Sequence, residues 1–261
     1  VVIPAGIEVV FNHMDDSRLR IVRVDGTLRF TTHTSSRMIV DTLGVDPRGS
    51  LIIGTPANPV SSSAKVEIII ADNGDIDVNW DSLLQSRGLI LHGTTSIHGA
   101  VKTPHIKVST DPLAGDTSIR LQAAPQNWRV GDTLVIPGSR FSGWKWGNSI
   151  RKVRYHGTQD EVRTITAISG NQVTLDRPLT YNHITPRADL KISVGNFSRN
   201  VVVATENAAN LPPHRRGHVM FMHSDRVDVR YAEFFELGRT DKSRPNMEAT
   251  TLATARSDSN V

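Results

Sequence analysis

The run Lys65-Val66-Glu67-Ile68-Ile69-Ile70, followed directly by Ala71-Asp72-Asn73-Gly74-Asp75, is the stretch that decides the fold. Its β-branched residues and closing Asn-Gly pair are typical of a β-strand that stops at a tight turn. Similar short strands lie on either side, at Ser50-Leu51-Ile52-Ile53-Gly54 and Gly88-Leu89-Ile90-Leu91-His92-Gly93. Because strands this short cannot each bury a face alone, we expect them to stack on one another.

The pattern extends toward the amino terminus, through Leu19-Arg20-Ile21-Val22-Arg23-Val24-Asp25-Gly26 and Val1-Val2-Ile3-Pro4-Ala5-Gly6. Strands recur at roughly 15–25 residues, about one coil of a solenoid. Residues 1–110 are therefore predicted to form a solenoid of short stacked strands.

The pattern of strand and turn residues changes after residue 110. Glu161 to Ile168 and Gln172 to Asp176 are two strand-like runs joined by Ser169-Gly170-Asn171, a strong hairpin signal. We predict that residues 111–190 form a small antiparallel β barrel or sandwich inserted into the solenoid. Parallel coils are expected to resume over 191–240, and 241–261 is predicted to be a polar tail of an incomplete solenoid.

The bulk composition excludes several classes of protein. With 261 residues, 38% of them hydrophobic, the chain is long and apolar enough to bury a core, which excludes a disordered segment. The chain has no cysteine, which excludes a disulfide framework and a thiolate metal site. No apolar run is long enough for a transmembrane segment. The net charge of +4 favours a polyanionic partner only weakly, and a solvated basic surface explains it better.

Several segments, in the same order, resemble one known family. They are Ile3-Pro4-Ala5-Gly6, Leu51-Ile52-Ile53-Gly54-Thr55, Leu89-Ile90-Leu91-His92-Gly93, Trp128 to Ile136, Phe197 to Val203, and Gly217 to Gly238. Together they resemble the eight-glycine (G8) domain and the parallel β-helix that follows it. This family includes cell-migration-inducing hyaluronan-degrading proteins, fibrocystin-like proteins and bacterial surface proteins.

The resemblance implies an all-β fold, a right-handed parallel β-helix that carries the inserted antiparallel module. It also implies an extracellular or cell-surface location and a glycan partner. Members that degrade hyaluronan carry basic residues after the His-Gly pair, where this chain has Thr94-Thr95-Ser96-Ile97. Catalysis is therefore left open. If the protein is an enzyme, the resemblance implies a polysaccharide hydrolase or lyase with part of its site on later coils.

The richest aromatic and basic cluster lies between Phe141 and His156. Aromatic faces stack on sugar rings, and Arg and Lys pair with uronate or sulfate groups. The same residues could stack bases and bind phosphates, or could simply pack as a solvated hairpin. The predicted glycan-binding residues are Trp144, Lys145, Trp146, Arg151, Arg154 and Tyr155.

Three carboxylates, Asp228, Glu233 and Glu236, are weak catalytic candidates, because acid–base cleavage of a glycoside needs paired carboxylates on a rigid surface. An exposed ladder of ion pairs with Arg226 and Arg230 explains the same pattern better. The spacings of His92, His98 and His105 do not match short metal-ligand pairs.

No cofactor is predicted. Calcium at Asp72, Asp75 and Asp77 is the one alternative, although this spacing matches no complete calcium-binding loop and is also explained by turn chemistry. The predicted function is binding or processing of an acidic, hyaluronan-like polysaccharide or cell-surface glycan. The alternative is a non-catalytic structural or adhesive module, and nucleic acid is the weakest choice of partner. The sequence does not indicate the oligomeric state.

Overall fold

The computed structural model describes residues 1–140, 158–224 and 226–239, together with the backbone of residues 144–146 and 153–155. These residues form two compact units. The first contains residues 1–100 and the described residues from 199 on, and the second contains residues 101–198. Strands dominate both units, and the helices of the described part are two short 3-10 turns, Ala208–Asn210 and Pro213–Arg215. The predicted all-β class is confirmed.

The strands alternate with short turns along the whole described chain. In the first unit they are β1 (Val2–Ile3), β2 (Glu8–Phe11), β3 (Met14–Val24), β4 (Thr27–Phe30), β5 (Ser36–Val45), β6 (Ser50–Ile53), β7 (Val66–Ile70), β8 (Gly88–Leu91) and β9 (Thr94–His98). The second unit contains β10 (His105–Lys107), β11 (Ser118–Arg120), β12 (Thr133–Ile136), β13 (Trp144–Trp146), β14 (Val153–Tyr155), β15 (Glu161–Ser169), β16 (Gln172–Leu175) and β17 (Ser193–Asn196). The first unit then resumes with β18 (Val201–Thr205), β19 (His218–Phe221), β20 (Val227–Arg230) and β21 (Ala232–Phe235).

The first unit consists of two sheets whose described pairings are all parallel. One sheet has the order β1-β3-β5-β7-β18-β21, with β8 beside β5 and β19 beside β8. The other has the order β2-β4-β6-β9-β20. The stack of the first unit continues with the strands that follow residue 198 in the sequence, because Val201 of β18 pairs with Val66 of β7. Short strands are thus stacked, as the sequence predicts.

The register of the paired parallel strands places their inward-facing apolar side chains in columns between the two sheets. Phe30 pairs with Ile53, and Ile53 pairs with Ile97, and all three are fully buried. Intervening positions such as Arg29 and Ile52 are partly exposed, which is the period-two alternation of a strand with one buried face. Burial of each such side chain contributes about 1.5–3 kcal/mol, so the stacked columns are the main source of stability.

Glycines let successive layers of the stack approach closely at their corners. A Cβ on Gly93 would lie 2.2 Å from the carbonyl oxygen of Gly49, and one on Gly99 would lie 2.1 Å from that of Tyr231. No side chain fits in such a gap, because real Cβ contacts are never this short. These glycines are therefore required for space, rather than for the positive φ that a tight turn needs.

The second unit is an antiparallel sheet with the order β10-β17-β12-β15-β16-β11. An isolated bridge between Val108 and Leu121 links its two ends. The hairpin of β15 and β16 forms where the Ser169-Gly170-Asn171 turn predicts it, with a bulge between Ile165 and Ala167. A separate apolar core fills this unit, including Leu121, Leu134, Ile136, Val173 and Val194.

None of the helices in the described part of the chain has the length and apolar character needed to cross a lipid bilayer.

Candidate functional site

The first unit contains a cleft of about 390 Å³ beside the loop that joins β7 to β8. Residues 18–21 of β3 line it together with loop residues between 73 and 87. The cleft combines cations, carboxylates and an indole ring. The charged and aromatic side chains are Arg18, Arg20, Arg87, Asp41, Asp75, Asp77 and Trp80. Because the arginines and aspartates are equal in number, the lining has no net charge.

Arg87 fixes the carboxyl-terminal end of the loop. Its side chain is buried, donates a hydrogen bond to the Gly74 carbonyl at 2.5 Å, and lies 3.6 Å from Asp41 and 3.8 Å from Asp72. Its backbone N–H donates to Thr42 Oγ1 of β5 at 2.8 Å. One buried guanidinium therefore joins both ends of the loop to the sheet.

Asp81 organises the turn that leads into Arg87. Its carboxylate accepts hydrogen bonds from the N–H groups of Gln85 and Ser86 at 2.9 and 2.8 Å, and from the Ser86 hydroxyl at 2.5 Å. Burial would raise the pKa of Asp81, but these hydrogen bonds outweigh it and hold the pKa below its ordinary value. The carboxylate is thus charged at neutral pH, and the turn is held by charge-assisted bonds.

Asp72 anchors the amino-terminal end of the loop. Arg215 binds it in a bidentate manner, with Nη2 at 2.5 Å and Nε at 3.1 Å, and the Gly74 N–H donates to it at 3.2 Å. Burial would raise the pKa of Asp72, but these partners lower it below its ordinary value. Both ends of the loop are therefore held by buried or half-buried arginines.

The residues of the calcium alternative have other partners. Asp72 is engaged by Arg215, Asp77 Oδ1 accepts a hydrogen bond from the Asn79 N–H at 2.9 Å, and the Asp75 side chain is 82% exposed. Within the described ranges, no group of three or more His, Asp or Glu side chains could hold a metal ion. The calcium alternative gains no support from this geometry and stays a prediction.

Trp80 and Arg20 form the exposed platform of the cleft. Trp80 is 60% exposed, and the Arg20 guanidinium carbon lies 5.9 Å from the centroid of its ring, within cation–π range. Among the residues that the structure describes, Arg20 has no carboxylate within ion-pair distance. Arg18, by contrast, is paired with Glu206 and bonds to the Asn73 side chain at 3.1 Å. The platform therefore offers an indole face and a guanidinium fork to a ligand.

The three predicted catalytic carboxylates do not lie on one sheet. Asp228 is on β20 and lies 3.0 Å from Arg230 Nε and 3.3 Å from His98 Nε2. Glu233 is on β21, in the other sheet, and accepts a hydrogen bond from the Arg199 N–H at 2.9 Å. Glu236 follows β21 and pairs with Arg216 at 2.6 Å. Each has its own cation or donor, which fits the ion-pair interpretation of this region.

The predicted glycan-binding cluster lies only partly within the described chain. The backbones of β13 and β14 pair antiparallel, with Trp144 opposite Tyr155 and Lys145 opposite Arg154. The side chains of Trp144, Lys145, Trp146, Arg154 and Tyr155, and the whole of Arg151, lie outside the described residues. Their role in glycan binding stays a prediction.

Sequence reasoning missed Trp80 and Arg20. The turn at the start of the loop, Asp72-Asn73-Gly74-Asp75, is recognised in the sequence, but only as a turn or a calcium site. The local sequence even points away from an exposed ring, since Ile76-Asp77-Val78-Asn79-Trp80 alternates apolar and polar residues as a half-buried strand does.

The amino-terminal part of the chain is similar to known proteins. Residues 1–109 match the model of the G8 domain. A G8 domain-containing protein of Dictyostelium discoideum is 30% identical over 114 residues, which are 44% of this chain and 7% of that protein. The human cell migration-inducing and hyaluronan-binding protein is 27% identical over 125 residues, 47% of this chain and 8% of that protein. The predicted resemblance to a G8 domain is therefore confirmed over residues 1–109.

Phage tailspikes are among the solved structures with partial similarity. The tailspike of Pseudomonas phage phi297 has a TM-score of 0.30 and 11% identity, covering 69% of this chain and 24% of that one. The tailspike of Acinetobacter baumannii bacteriophage AP22, solved with a capsular saccharide, has a TM-score of 0.29 and 14% identity, covering 82% of this chain and 29% of that one. Scores this low carry no conclusion about the fold or its ligands.

Proposed function

We propose that this chain is a carbohydrate-binding module of an extracellular or cell-surface protein, and that it holds an acidic, hyaluronan-like polysaccharide in the Trp80 cleft. The observation that carries the proposal is the pairing of exposed Trp80 with Arg20. An indole face offers a flat apolar surface to the C–H face of a sugar ring. A guanidinium fork matches the geometry of a uronate carboxylate.

The scaffold of this module is proposed to be a right-handed parallel β-helix. The described chain alternates between two parallel sheets, with β3, β5 and β7 in one and β4, β6 and β9 in the other. Parallel crossover connections are right-handed in nearly all proteins, which supports this hand. Such a scaffold is stiff, so the cleft is preformed and little ordering entropy opposes binding.

The proposal of an acidic ligand rests on Arg20, because the other two arginines of the cleft are paired with carboxylates. Arg87 is neutralised by Asp41 and Asp72, and Arg18 is neutralised by Glu206. Arg20 is left as the cation that a ligand carboxylate can engage. The hyaluronan-binding description of the matched human protein supports the same class of ligand.

The proposal is one of binding without cleavage. Asp228, Glu233 and Glu236 are each occupied by a neighbouring cation or N–H donor, as described above. The proposal therefore needs no catalytic step, and a purely structural or adhesive module is the competing interpretation.

Binding assays on glycan arrays and with immobilised hyaluronan test the proposal. Trp80→Ala should weaken binding to hyaluronan at least about fivefold, since loss of a central aromatic contact typically costs more than 1 kcal/mol. The matched control is Leu83→Ala, which removes an exposed apolar side chain of the same loop that does not line the cleft. If wild-type protein binds no glycan, the structural module is the better account. If Trp80→Ala and Leu83→Ala bind equally well, the site lies elsewhere.

A further inference from the structure

Lys102, Asp132 and Asn196 form a buried polar cluster in the second unit, which the proposed glycan site does not use. Their exposed fractions are 8%, 7% and 1%, respectively. Lysine is almost never buried without a partner, and here its partner is a single carboxylate oxygen. The cluster therefore holds a nucleophilic amine, an acid–base group and a side-chain amide together, away from water.

One oxygen of Asp132 contacts both nitrogens. Its Oδ2 accepts a hydrogen bond from Lys102 Nζ at 2.7 Å and another from Asn196 Nδ2 at 2.8 Å. The Arg129 N–H also donates to this oxygen, at 2.9 Å. A carboxyl group in contact with an attacking nitrogen and with a leaving nitrogen is placed to carry a proton from one to the other.

The carbonyl of Asn196 is polarised from its other side. Its Oδ1 accepts a hydrogen bond from the Ser198 N–H at 3.0 Å. A donor aimed at this oxygen would stabilise the negative charge that develops when an amine attacks Cγ. The backbone near Lys102 is also tied to Asn196, because the Asn196 N–H donates to the carbonyl of Pro104, two residues after Lys102, at 2.9 Å. The chain two residues after Lys102 is therefore fixed beside Asn196, which limits how far the two side chains can separate.

We propose that Lys102 and Asn196 become joined by an intramolecular amide bond, with Asp132 as the catalytic residue. The Lys102 ammonium first gives one proton to the Asp132 carboxylate. The neutral Nζ then attacks Asn196 Cγ, and a C–N bond forms while the C=O electron pair moves onto Oδ1. Asp132 protonates Nδ2, the Cγ–Nδ2 bond breaks, and ammonia leaves as the carbonyl re-forms. Asp132 takes the remaining proton from Nζ and ends as a neutral carboxylic acid, so atoms and charge balance without any redox partner.

The two residues of the proposed link lie next to the two ends of the second unit. Val101 and Ser198 are the first and last residues of the second unit. An amide between residues 102 and 196 would close this unit into a covalent ring at its entry and exit. A pulling force applied to the flanking chain would pass through the amide and leave residues 103–195 unloaded, which suits a protein exposed to mechanical stress.

The intact mass of the folded wild-type protein is the direct test, and it depends on no variant. The expected mass is lower than the sequence mass by one ammonia. A tryptic map should contain a branched peptide that joins residues 102 and 196, without cleavage after Lys102. A full sequence mass, together with separate linear peptides for the two residues, would overturn the proposal.

Three variants separate this reaction from other losses of ammonia. Lys102→Arg keeps a cation beside Asp132 but has no nucleophilic amine, and Asp132→Asn removes the proton carrier, so both should show the full sequence mass. Asn73→Gln removes an Asn-Gly pair that can lose ammonia by cyclisation, and it should leave the mass deficit unchanged. A deficit that disappears in Asn73→Gln and persists in Lys102→Arg would refute the link.

Discussion

Asn200→Ala is expected to lower the free energy of unfolding of the first unit by about 3–4 kcal/mol. The Asn200 amide nitrogen donates to the carbonyls of Ser61 and Ala64 at 2.9 and 3.0 Å, and its Oδ1 accepts from the Ala100 N–H at 2.8 Å. Each lost hydrogen bond costs about 1 kcal/mol net, and a group left unpaired away from water costs about 1–3 kcal/mol. Three such bonds at a half-buried position give the stated total.

Urea denaturation followed by far-ultraviolet circular dichroism measures this change. Asn200→Asp is the informative companion variant, because it keeps the acceptor for Ala100 but places an oxygen against the carbonyls. It should destabilise at least as much as the alanine variant. Asn12→Ala, at an exposed position, is the control and should change stability by less than about 0.5 kcal/mol. A loss below about 1 kcal/mol for Asn200→Ala would refute the reasoning that this side chain joins three segments.

Three further predictions concern packing and pH. Gly99→Ala should lower the free energy of unfolding by at least about 1–3 kcal/mol, because its Cβ would lie 2.1 Å from the carbonyl oxygen of Tyr231. Gly44→Ala should be tolerated, because a Cβ at that position meets nothing within 4 Å. Thermal melts compare the two variants. Burial and the nearby Arg239 lower the pKa of His218 to about 4, so stability should fall by roughly 3 kcal/mol as pH drops from about 6.5 to 4, and His218→Gln should flatten this slope. Burial would raise the pKa of Glu161, but hydrogen bonds lower it to about 2. The roughly 3 kcal/mol that the Glu161 carboxylate contributes to stability should therefore be lost as pH falls from about 4.5 to 2, and Glu161→Gln should abolish this pH dependence. Urea titrations at several pH values measure the predicted changes for His218 and for Glu161.

Local patterns in the sequence predict the strands but not their long-range partners. The run from Val66 to Ile70 and the hairpin around Gly170 both form where composition and turn residues predict them. The pairing of Val66 with Val201 has no local signal, because the two strands are separated by the whole second unit and are matched only by packing. Strand propensity describes a half-buried pleated surface and does not specify which surface covers it.

Glycines illustrate the same limit. In the sequence they mark the ends of strands, and Gly54 and Gly74 do have positive φ. Gly93 and Gly99 are instead required to be glycine because another layer of the stack lies too close to leave room for a Cβ. This contact exists only in the folded stack and leaves no signal in the local sequence.

The cleft could be predicted only in part. Asp72 to Asp75 are recognisable as a turn, but Arg215, which holds Asp72, comes from a distant part of the chain. The platform of Arg20 and Trp80 likewise joins β3 to the loop after β7, so neither residue is distinctive alone.

Calorimetric titration with a hyaluronan oligosaccharide, and with the same oligosaccharide after reduction of its carboxylates to alcohols, tests the central claim most directly. The account predicts that wild-type protein binds the acidic form at least tenfold more tightly than the reduced form. Arg20→Gln should remove this preference. The control variant Arg48→Gln changes a side chain that is 90% exposed and should retain the preference. Equal affinity of wild-type protein for both forms, or an undiminished preference in Arg20→Gln, would contradict the claim that this cleft recognises an acidic sugar.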